Sequence, residues 1–199
     1  MLVFSACLAA LLSGAPEHAV SALSTECLVA IDARGALVFA EPGNAEHVEL
    51  PSELEVSLRD PDASITLRHN HPHSQGLSER DVLTLGMSGV SVIEAIGRDG
   101  SVYRAARGPH FDIRRVARVY REMNALAALY FTLDRLPPQD RAGLRAEADH
   151  LACVALADAG VVNYTGRLSE GQRALLDRYT ARVSLVRRWA TAAARREGR

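Results

Sequence analysis

The 199-residue chain is 48% hydrophobic and sets 23 basic against 24 acidic residues, for a formal net charge of −1. That is enough apolar material for a real core in one domain, or in one domain with a helical appendage. The charge balance excludes global attraction to nucleic acid or acidic lipid, so neither nucleic acid nor a membrane is an expected partner.

Residues 1–24 open with an apolar run that lacks a basic leading region and is too short to span a bilayer. They read as an N-terminal helical segment, with a weak signal peptide as the alternative. Between residues 25 and 108, short strands and helices alternate. Residues 27–31 and 36–40 are apolar runs joined by Asp32-Ala33-Arg34-Gly35, which predicts a hairpin. Residues 51–58 predict a helix with proline near its start. Residues 64–69 alternate apolar and polar side chains, as a half-buried strand does. A helix is expected over 79–87, then a second hairpin from 90–96 to 101–106 across Gly97-Arg98-Asp99-Gly100. The expected fold class is α+β, a mixed sheet flanked by helices.

Residues 109–199 read as an all-helical C-terminal extension. Val116, Val119, Met123, Leu126, Tyr130 and Leu133 recur at helical spacing until Pro137-Pro138 interrupts them. Leu144, Ala148, Leu151 and Ala155 form the next stripe, ending near Gly160. Ser169-Glu170-Gly171-Gln172 is a capping box for a last helix carrying Leu176, Tyr179, Val183 and Val186. Along it lie Arg173, Arg178, Arg182, Arg187, Arg188, Arg195, Arg196 and Arg199 against Glu170, Asp177 and Glu197. Such a stretch is either a solvated face or a docking patch for an acidic partner. Every basic residue of the chain is Arg and none is Lys, in keeping with its Ala-, Arg- and Leu-rich usage. Cys7, Cys27 and Cys153 are scattered, without a CxxC pair. They predict no disulfide framework and a reducing, cytoplasmic setting, export as an effector being the alternative.

The chemistry concentrates in His69-Asn70-His71-Pro72 and Ser78-Glu79-Arg80-Asp81. Imidazoles two residues apart on a strand point to one side of the sheet, about 6.6 Å apart along the backbone. Pro72 cannot donate to a strand ladder, so the chain leaves the sheet there. Six residues later Ser78 is a good helix N-cap, which sets Asp81 in the first turn, able to return over the strand end. Either half alone has a bland reading, a polar loop or a capping pair. Together they propose His69, His71 and Asp81 as ligands of a zinc ion whose fourth position is left to water.

The motif resembles that of the JAB/MPN metalloproteases, Glu … His-x-His-Pro … Ser-x-x-Asp. The likeness runs roughly from Glu26 to Ala106, with nine residues between His71 and Asp81 where the usual motif has ten. It implies a zinc-dependent peptidase or isopeptidase that cuts an amide bond near an extended tail of a protein or peptide. A catalytically inactive binding or assembly module of the same fold is the alternative. The resemblance also implies a glutamate upstream of the histidines as general base, and Ser78 as a donor to the oxyanion. Glu26 fills the first role best because it precedes an apolar run; Glu41, Glu46, Glu49, Glu53 and Glu55 are its rivals. Glu147-x-x-His150 copies a di-iron spacing, but a single copy is incidental.

Overall fold

The computed structural model describes residues 26–42, 52–132 and 136–196. These residues fold into a six-stranded mixed sheet with seven helices. Strand β1 (Cys27–Ile31) turns through Gly35, at φ +82°, into β2 (Leu37–Pro42). Helix α1 (Ser52–Arg59) precedes β3 (Ile65–His71), and helix α2 (Glu79–Thr84) leads to β4 (Val90–Gly97) and β5 (Val102–Arg107). These elements match the expected ones to within a residue at most ends, except that β2 and β3 each run two residues further, to Pro42 and His71, and α2 stops at Thr84. Residues 1–24, and Leu133 of the first C-terminal stripe, lie outside the described residues.

The sheet order is β2-β1-β3-β4-β5-β6, antiparallel throughout except for the parallel pair β3–β4. A parallel pair needs a crossover, and α2 supplies it. The crossover therefore begins at the carboxyl end of β3, where the two histidines lie.

The all-helical reading of the C-terminal extension is corrected here. Strand β6 (Val162–Arg167) lies inside it and pairs antiparallel with β5 along its whole length. It is short and polar on one face, so a scan for helical stripes passes over it. Val161, Val162, Tyr164 and Thr165 nevertheless suit a pleated edge. The helices of this region are α3 (Ile113–Tyr130), α4 (Pro138–Ala146), α5 (Ala148–Asp158), α6 (Glu170–Arg178) and α7 (Thr180–Arg195). The expected last helix is thus two helices broken at Tyr179. Both Arg178 and the Tyr179 hydroxyl reach Asp140 of α4, at 2.9 and 2.6 Å.

Leu28, Ala30, Leu67, Ile93, Ala95 and Tyr103 of the sheet share one core with Val119, Met123, Leu151, Leu156 and Val186 of the helices. Helix α5 is largely apolar and lies against α3, α7 and β6, which is why its buried residues do not form a narrow stripe. The C-terminal region is therefore part of the same core as the strands. Among the described residues, no helix is long and apolar enough to cross a membrane.

Candidate metal centre

His69 and His71 are the last inward-facing residues of β3, and alternation along the strand puts both rings on the same face. Their Nε2 atoms lie 2.8 Å apart. Asn70, between them, points the other way and accepts a hydrogen bond from the backbone N–H of Cys27 at 2.8 Å. That bond fixes the first residue of β1 and, with it, Glu26. The middle residue of the His-Asn-His triplet thus has a role that the sequence reading missed; its odd position in a strand was the available signal.

Glu26 Oε1 stands 3.7 Å from His69 Nε2 and 3.9 Å from His71 Nε2. Asp81 presents Oδ1 to His69 at 3.3 Å and Oδ2 to His71 at 3.5 Å. Glu26, His69 and His71 form a buried group whose ligand atoms lie within 4.8 Å of one another, and that group could hold a metal ion. A tetrahedral ion about 2.0–2.1 Å from each ligand sets ligand atoms roughly 3.3 Å apart. The Asp81 oxygens already stand near that spacing, and Glu26 lies slightly beyond it. The imidazoles need to open by about half an ångström from their 2.8 Å contact. With that opening the group could hold an ion.

Exposed His73 is not part of the cluster. Of the rival glutamates, Glu41 is exposed on β2 and Glu55 pairs with Arg59 on α1. Glu46 and Glu49 lie outside the described residues.

Ser78 caps α2 in a complete capping box. Its Oγ accepts from the Asp81 N–H at 3.2 Å and donates to Asp81 Oδ2 at 2.8 Å, while its own N–H donates to the same oxygen at 2.7 Å. A hydroxyl has one proton to give. Ser78 gives it to Asp81, so in this arrangement the serine orients a carboxylate.

His71 Nδ1 lies 2.8 Å from the carbonyl of Gln75, an acceptor only. The ring therefore carries its proton on Nδ1 and leaves the Nε2 lone pair facing the centre. His69 Nδ1 is buried with no such partner among the described residues. Burial pulls His71 down, but the Asp81 carboxylate, Gln75 and Glu26 outweigh it and hold the ring above its ordinary value. For Asp81, burial pushes upward, and the two imidazoles overcome it to hold the acid well below the usual carboxylate range. Burial, then the charge of Asp81, raises Asp149 of α5 to about 6.

Comparison with protein-family models, curated proteins and solved structures finds no match for this chain.

Proposed function

We propose that the chain is a zinc-dependent peptidase or isopeptidase of the JAB/MPN type, acting on an amide bond near an extended tail of a protein or peptide. One observation carries the reading: two imidazole nitrogens and two carboxylates converge at the carboxyl end of β3. His69, His71 and Asp81 would hold the ion, and an imidazole–carboxylate donor set suits zinc. Zinc there would supply a Lewis acid and a water acidified towards neutrality. Glu26, slightly further from both nitrogens than Asp81, would be the proton carrier, able to accept a proton from water and return it to a leaving amine. Ser78 orients Asp81.

The commitment of the Ser78 proton to Asp81 favours a second reading, in which the same site is a structural metal centre in a binding or assembly module. Metal analysis and turnover separate the two. The enzyme binds about one zinc per chain and loses it in His69→Ala, His71→Ala and Asp81→Ala. Glu26→Gln keeps zinc and loses at least about 10²-fold in cleavage of tailed protein substrates. Wild-type protein that takes up no metal when supplied with zinc ends both readings. Zinc-loaded protein that cleaves no member of a broad panel of tailed proteins leaves the module.

A further inference from the structure

The loop between His71 and Ser78 is held by residues outside the His-x-His-Pro and Ser-x-x-Asp pattern. Ser74 sits in the left-handed region at φ +57°, which a residue with a Cβ occupies only when its surroundings hold it there. Its N–H donates to the His71 carbonyl at 3.0 Å, and its Oγ accepts from the Asp99 N–H at 3.0 Å. Its carbonyl accepts twice, from the Tyr103 hydroxyl at 3.1 Å and from Gln172 Nε2 at 3.0 Å. Gln172 Nε2 also donates to the Tyr103 oxygen at 2.7 Å, closing a triangle around one carbonyl. The next residue is Gln75, whose carbonyl accepts from His71 Nδ1 and so sets that ring.

Gln172 therefore has two separable tasks. Its Oε1 accepts from the Ser169 N–H at 2.9 Å and completes the cap of α6. Its Nε2 reaches 98 residues back along the chain to Ser74. A cap alone would be served as well by glutamate, which offers only acceptors. The second task requires the amide.

We propose that Gln172, acting with Tyr103 through the Ser74–Gln75 backbone, is a positioning residue for His71. This rests on the metal reading of the site. Groups that orient a ligand typically cost 10–100-fold in metal affinity when removed. In Gln172→Glu the cap of α6 survives, but the donor to Ser74 is lost. The new carboxylate also competes for the Tyr103 proton, so one change strips both donors from the Ser74 carbonyl.

The test uses the full chain and the variants Gln172→Glu and Tyr103→Phe. Zinc affinity is measured by chelator competition, the ligand field with Co2+, and the His71 tautomer by nitrogen NMR on metal-free protein at pH 8. Circular dichroism and thermal melting check that α6 and the fold persist. Expected is a loss of about 10-fold or more in zinc affinity in both variants, with an altered Co2+ spectrum and a mixed His71 tautomer. Wild-type affinity and spectrum in folded variants overturn the proposal. If the wild type binds no metal, the metal reading fails by itself and the tautomer decides: an Nδ1–H His71 unchanged in both variants overturns the clamp, and a mixed one supports it.

Discussion

Glu147 shows how a single buried side chain can set a pH dependence. It is 3% exposed, its Oε2 has no hydrogen-bond partner among the described residues, and burial raises its carboxyl to about 7 from an ordinary 4.5. The Gln172 side chain opposes that rise and the Asp99 charge adds to it. The folded state thus keeps a proton that the unfolded state releases, so stability falls as pH rises through this window. His150, lowered by burial to about 4, acts in the opposite sense between there and its ordinary 6.5. The two are separated by comparing the wild type with Glu147→Gln. The variant should gain stability over the wild type between pH 5 and pH 8, by at most on the order of 3 kcal/mol. Denaturant unfolding at the two pH values checks it, and a difference that does not change with pH refutes the assignment.

At the scale of elements, the six residues from Pro72 to Leu77 matter more than any helix. One end is set by the clamp on Ser74. At the other, the Tyr120 hydroxyl donates to the Leu77 carbonyl at 2.6 Å. Between them Gly76 lies against the start of α5, where an added Cβ would fall 2.5 Å from His150 N and 2.8 Å from its Cα. Backbone atoms in a helix cannot yield as a flexible side chain does. Gly76→Ala should cost about 1–3 kcal/mol, the range for overpacking, and should also weaken zinc binding by shifting the loop that carries Gln75. Urea unfolding paired with a zinc titration tests both parts. An unchanged midpoint would mean that α5 does not brace the loop.

Across the whole molecule, the helices after Gly108 complete a shared core, and β6 extends the sheet by pairing with β5. A chain ending at residue 108 would uncover the core-facing side of Leu67, Ile93 and Tyr103, and β5 would lose its pairing with β6. That fragment should not unfold cooperatively, whereas the full chain should; melts followed by circular dichroism decide, and a sharp transition in the fragment refutes the shared core. The Arg-rich end is partly used inside the molecule. Arg178 pairs with Asp140, Arg182 donates to the Tyr130 carbonyl, Arg187 pairs with Asp158 and Arg195 donates to the Asp158 carbonyl. Arg188, midway along α7, and Arg196, just past its end, are exposed.

The four residues His69, His71, Ser78 and Asp81 were legible in the sequence because their spacing is local. Strand alternation, a proline break and a helix cap place them within one short stretch of chain, and short-range geometry decides how they meet. Glu26 was legible only through a resemblance, since its approach depends on the pairing of β1 with β3 and on the bond from Cys27 to Asn70. Strand β6 and the hold of Gln172 on Ser74 were not legible. Local propensity is silent about which distant backbone lies at a sheet edge, or which carbonyl 98 residues away lacks a donor. Short-range rules thus bring His69, His71 and Asp81 to one turn, because strand alternation, a proline break and a helix cap all act over a few residues. The approach of Glu26 and the hold of Gln172 on that turn come from long-range packing, which local rules do not encode.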